Sequence, residues 1–120
     1  MGDDADEKFA WSVKNGELTA VEEFVAKGGD VNAEIKGRFP LHYAADYGQD
    51  KVMEFLLSKG AKVNQPDKYG ITPLLAAIFE GHTSCVRILL KKGADKNGRS
   101  PDGASFIDCA EKQEIKDLLK

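Results

Sequence analysis

The chain has 120 residues, of which 42% are hydrophobic and 31% charged, with a formal net charge of −3. That length suits one domain, and the composition is that of a packed soluble chain, not of a disordered acidic tail. The first thirty residues carry −5 and the remainder +2, the reverse of the basic footprint that nucleic-acid phosphates require, and no apolar run has the length of a membrane span.

Neither nucleic acid nor a membrane is therefore an expected partner, while the acidic N-terminal part suits a basic protein. The opening MGDDADEKF lacks the basic segment and apolar stretch of a signal peptide, and Asp6 stands where a myristoylation signal needs Ser or Thr. Only Cys85 and Cys109 are present, both inside apolar helical patterns. Buried free thiols are expected, in a reducing compartment, cytoplasm or nucleus.

In chain order, the first element group is FAWSVKNGELTAVEEFVAKGGDVN (9–32), which reads as two helices with Gly16 between them and Gly28 at the end. The second, RFPLHYAADYGQDKVMEFLLSKGAKVN (38–64), repeats that pattern at an offset of 32: Gly16 meets Gly48, Phe24 meets Leu56, Gly28 meets Gly60 and Asn32 meets Asn64. The third, ITPLLAAIFEGHTSCVRILLKKGADKN (71–97), follows at an offset of 33, with seven identities in register that include Pro40/Pro73, Gly48/Gly81 and Gly60/Gly93. Internal periodicity of this length marks a stacked-repeat architecture. The last group, PDGASFIDCAEKQEIKDLLK (101–120), starts in register and then loses about four residues between its helices, as a degenerate terminal unit does where one side must face water.

Each unit reads as turn, short helix, tight turn, longer helix, loop. Pro40 and Pro73 suit a first helical position, Thr72 an N-cap, and Gly48 and Gly81 positive-φ helix ends. Val52, Phe55, Leu56 and Leu57, then Val86, Leu89 and Leu90, recur at helical spacing. The expected fold is an all-α stack of four helix-turn-helix units over 1–120, at about 5–36, 37–69, 70–102 and 103–120, with a monomer as the expected state because the stack closes its own core.

The stretches PLHYAADYG and GITPLLAAIFEGH, with LLSKGAKVN and LLKKGADKN after them, resemble the TPLHLAA and LLLxxGAD patterns of ankyrin repeats, over essentially residues 5–120. The resemblance implies an ankyrin-repeat solenoid that binds proteins. The whole chain is similar, further, to a four-repeat branch of that family, through FAWSVKNGELTAVEEFVAKGGDVN, PLHYAADYGQ, PDKYGITPLLAAIFEGHTSCVRILLKKGADK and the truncated last unit. That similarity implies a regulator that holds the heterodimeric actin capping protein, an alpha/beta pair, off filament barbed ends. A generic ankyrin adaptor for a transcription factor or kinase is the alternative.

The recognition surface of such a stack is the side of the projecting turns and short helices. Asp46 with Tyr47, and Phe79 with Glu80, precede the helix-ending glycines and are expected to face outward; Lys14 and Asn15 hold that place in the first unit. Aromatic anchors beside acids fit a protein-binding patch, although Tyr47 and Phe79 could equally pack between neighbouring helices. Trp11, in register with Tyr43 and Ala76, is either a cap on the core or an exposed anchor. Glu34, Lys36 and Arg38 lie on the turn before the second unit and Tyr69 on the next, the two cations opposing a basic partner. The resemblance implies that Trp11 and Asp46 contribute to the capping-protein contact. Asp46 is expected to be an outward carboxylate of little weight in folding.

Catalysis is not expected, nor any cofactor. His42 and His82 share no metal-ligand spacing, Cys85 and Cys109 form no CxxC pair, GGDVN lacks the Lys-Ser/Thr end of a phosphate loop, and Ser84 and Cys85 have no base nearby in sequence.

Overall fold

Eight helices form four successive pairs in a computed structural model that describes residues 2–120. They are α1 (Gly2–Lys14) with α2 (Leu18–Ala26), α3 (Pro40–Tyr47) with α4 (Asp50–Ser58), α5 (Pro73–Glu80) with α6 (Thr83–Lys91), and α7 (Phe106–Cys109) with α8 (Gln113–Leu119). The local causes are those of the sequence pattern. Pro40 and Pro73 open α3 and α5, where a missing N–H leaves nothing unpaired, and the Thr72 hydroxyl accepts the Leu75 N–H at 3.2 Å. Gly48 and Gly81 end those helices at φ 67° and 72°. A side chain at Gly48 would also collide with the His82 ring, since a Cβ there would stand 2.8 Å from Nδ1.

Two elements depart from the repeat. α1 spans 13 residues where α3 and α5 span 8, because the acidic run Asp4–Glu7 continues the helix, with its charge toward the favourable N-terminal end of the helix dipole. α7 has four residues and is capped by the Ser105 hydroxyl, which accepts the Asp108 N–H at 3.2 Å.

The turns between units explain why one offset is 32 and the next 33. Ile35 and Arg38 exchange backbone hydrogen bonds of 2.7 and 3.2 Å around a two-residue tip, Lys36–Gly37, with both φ positive, 55° and 82°; this is a type I′ hairpin turn. The next two tips have three residues, Lys68–Gly70 and Pro101–Gly103, closed by Asp67 N–H to Ile71 O and Ser100 N–H to Ala104 O, each 2.9 Å. One residue is missing from the first tip, and Ile35 and Arg38 occupy the places of Asp67 and Ile71.

The units stack in order. α3 packs between α1 and α5, α4 between α2 and α6, while α7 and α8 close the end against α5 and α6. Val13, Leu41, Met53, Leu56, Leu74, Ile78, Leu89, Phe106 and Ile115 belong to one hydrophobic cluster that runs the length of the stack, which measures 41 × 24 × 20 Å. Burying each such side chain contributes about 1.5–3 kcal/mol, so continuity of this cluster, more than helix propensity, holds nine-residue helices that would not persist alone. Among the described residues there is no sheet, only the isolated bridges Ile35–Arg38 and Arg99–Ser105, and no helix is long and apolar enough to cross a membrane.

Side chains reach from unit to unit onto backbone atoms. Asn32 donates to Gly60 O at 3.1 Å and accepts the Lys62 N–H at 3.0 Å; Asn64 repeats this with Gly93 O and the Asp95 N–H. On the other side, Gln49 donates to Lys14 O at 2.7 Å, and His82 Nε2 bonds Asp46 O at 3.0 Å.

Candidate partner-binding site

The short helices and turns place four large apolar side chains in water: Trp11 is 59% exposed, Tyr69 58%, Tyr47 54% and Phe79 47%. Trp11 shares its register with Tyr43 and Ala76, both buried. The difference is positional. α3 and α5 have a short helix on each side, whereas α1, among the described residues, has a short helix beside it on one side, α3, so Trp11 is an exposed side chain and not a cap on the core.

Three hollows run along this side. Glu7, Trp11, Lys14, Lys36 and Tyr43 line one of about 190 Å³. Asp6, Glu7, Glu34 and Lys36 line a polar one of about 260 Å³ beside it, with Lys36 Nζ 3.5 Å from Glu7. Arg38, Asp46, Tyr69, Ala76, Phe79 and Glu80 surround the third, about 250 Å³. Of the residues expected at the site, Asp46, Tyr69, Phe79 and Glu80 thus meet around one hollow, Trp11 and Lys14 around another and Glu34 around the polar one. Tyr47 lines none of them. Asn15 also stands apart: its amide donates to Trp11 O at 2.8 Å and closes the end of α1.

Asp46 is not the free carboxylate its position suggested. Arg38 grips both of its oxygens, Nη1 on Oδ2 and Nη2 on Oδ1, while Arg38 Nε donates to Asp67 Oδ2 at 2.8 Å. Asp67 is buried, and its other oxygen accepts the N–H groups of Tyr69 and Ile71, both at 2.9 Å. Burial opposes the charge of each partner but loses in both cases. Hydrogen bonds donated to the carboxylates of Asp46 and Asp67 hold the Arg38 guanidinium above its usual pKa. The donors from Ile71, Arg38 and Tyr69 hold Asp67 below the usual carboxylate range. Arg38 therefore does not oppose a basic partner; with Asp46 and Asp67 it forms a cluster of net charge −1. Lys14 Nζ and Arg38 Cζ lie 5.0 and 5.5 Å from the centre of the Tyr43 ring, whose hydroxyl donates to Ile35 O at 2.6 Å.

Sequence reasoning missed Asp67. The only signal was local: Asp67 and Ser100, 33 residues apart, each stand three residues before a turn glycine, the pattern of a side chain that bonds its own turn. Nothing local marks its partner Arg38, 29 residues earlier.

The histidines and Cys85 are engaged structurally, whereas the Cys109 thiol, expected to be buried, is only half-buried. His42 Nδ1 accepts the Phe39 N–H at 3.2 Å and Nε2–H donates to Ile71 O at 2.7 Å. The Cys85 thiol is buried and hydrogen-bonded to Asp50, and burial followed by that carboxylate pushes its pKa up, away from a reactive thiolate. Among the described residues no group of His, Cys, Asp and Glu is placed to hold a metal.

A pairwise stack of short helices with aromatic side chains turned outward defines a repeat protein built for protein recognition. Residues 9–101 match the family model for ankyrin repeats, in three copies. Along almost its whole length the chain is 58% identical to myotrophin of Xenopus tropicalis over 115 residues (95% of this chain, 98% of the relative) and 55% identical to myotrophin of Homo sapiens over 116 (96% and 98%). Myotrophin of Gallus gallus is 55% identical over 117 residues, 97% of this chain and 99% of the relative. The chain belongs to the ankyrin-repeat family and, within it, to the myotrophins.

Proposed function

We propose that this chain binds heterodimeric actin capping protein through the short-helix side and, by occupying it, keeps it from filament barbed ends. The observation that carries this reading is the end-to-end likeness to the myotrophins, the branch whose resemblance implies that partner. The exposed Trp11 and the net negative cluster at Asp46 support it, since they supply a rigid apolar anchor and charge for a basic surface. On this reading the chain works as a monomer, in the cytoplasm or nucleus.

Trp11→Ala is the sharper test, because an exposed indole matters little for folding whereas Asp46 is tied to Arg38. Titration of the purified alpha/beta heterodimer should show Trp11→Ala binding about 30-fold or more weakly, with an unchanged thermal melt and with Lys59→Ala as a neutral control. Equal binding by Trp11→Ala, or no binding by the parent chain, would sink the reading.

A further inference from the structure

We infer that Arg38 is a positioning residue of the short-helix side: its guanidinium, anchored on buried Asp67, fixes the Asp46 carboxylate at the rim of the hollow that a partner enters. The inference rests on the reading that a partner binds there.

The geometry forms a chain of fixed links. The tip backbone at Tyr69 and Ile71 fixes Asp67 Oδ1, and Asp67 Oδ2 takes Arg38 Nε. That leaves both terminal nitrogens to grip the two oxygens of Asp46 in a fork. Asp46 is held at its other end too, its carbonyl bonded by His82 Nε2. The side chains of Arg38 and Asp46 are 18% and 22% exposed and that of Asp67 is covered. Asp67 therefore cannot touch a partner; Asn at 67 keeps the Oδ1 acceptor for the Tyr69 and Ile71 N–H groups, so the effect of Asp67→Asn travels through Arg38. The two-residue tip creates the arrangement, because it puts Arg38 where the next unit has Ile71. The surface that results differs from a row of separate charges. A partner meets one oriented carboxylate, with Tyr69 and Phe79 beside it, and no free guanidinium.

The experiment measures affinity for the capping-protein heterodimer, well below each melting temperature, for Arg38→Lys, Asp67→Asn, Asp46→Asn and the double variants. A lysine keeps the charge of Arg38 but cannot reach three oxygens. Arg38→Lys and Asp67→Asn should each weaken binding roughly tenfold. Neither should weaken it further in an Asp46→Asn background. Full additivity there would mean that Arg38 touches the partner itself, and unchanged affinity in both single variants would mean that it only braces the fold; either result overturns the inference. The second readout needs no partner. The Arg38 Nε–H proton should exchange slowly in the free parent chain and fast in Asp67→Asn, and fast exchange in the parent overturns the inference. If the parent does not bind capping protein but its Nε–H is protected, the proposed partner falls while the clasp stands.

Discussion

His42 is the buried side chain whose chemistry can be followed by pH. Its Nδ1 accepts a backbone N–H and its Nε2 donates to a carbonyl, so the site needs the neutral ring with the proton on Nε2. Burial lowers its pKa below the usual value, and the bond to Ile71 O does not offset that. Asp46, Asp67 and Arg38 are the charges that face it, and they partly cancel. The unfolded chain takes up a proton near about pH 6.5, and the folded chain resists it. The stabilisation is therefore complete above that pH and is lost as the pH falls toward the folded value. Urea unfolding should give a free energy that declines from about pH 7.5 to about pH 5.5 more steeply in the parent than in His42→Gln. Both proteins keep His82, so equal slopes would contradict the assignment. Asp67 has the opposite chemistry and the same sense. Its pKa is lowered, so its contribution is present at neutral pH and lost only in stronger acid.

At the level of the element, the turn before α3 carries the chain's one strained residue among those described. Lys36 has φ 55°, a left-handed conformation that a lysine adopts at about 1 kcal/mol. Its ion pair with Glu7 is well exposed on both sides and returns little of this. Lys36→Asn supplies the Asn-Gly pair that a type I′ tip favours and should raise stability by about 0.5–1 kcal/mol. Chemical denaturation of the two proteins measures it, and a less stable variant would show that the turn has another determinant. The helices themselves were legible in sequence, since Pro40, Thr72, Gly48 and Gly81 act through their own backbone and need no distant partner. The change of offset was legible too, as a missing residue, but not its consequence. That Ile35 and Arg38 replace a polar and an apolar residue is visible in the alignment of units, whereas the Arg38 clasp depends on a neighbouring turn. Trp11 and Tyr43 illustrate the same limit: one register, two exposures, decided by how many helices lie alongside.

For the whole molecule, stability should be graded along the stack, because each unit touches only its neighbours. α3 to α6 have a partner on each side, while α7 and α8 have four and seven residues and one neighbouring pair. Ile115 and Leu119 attach that end. Ile115→Ala removes a fully buried side chain at a cost of about 2–5 kcal/mol, more than a terminal pair can be expected to hold. Native-state hydrogen exchange should show α7 and α8 losing protection in this variant while α3 to α6 keep most of theirs. Uniform loss through the chain would mean that the stack melts as one cooperative unit. The side-chain links between units have a different consequence. Asn32, Asn64, Gln49 and His82 all bond carbonyls or N–H groups of the next or preceding unit, never its side chains. These four links thus read the backbone of a neighbour, and the side chains that seat one unit on the next are confined to the apolar cluster and a few pairs such as Cys85 with Asp50 and Arg87 with Glu114. Positions such as Tyr47, Phe79 and Glu80 are left free to drift or be redesigned toward another binding target without renegotiating how one unit seats on the next.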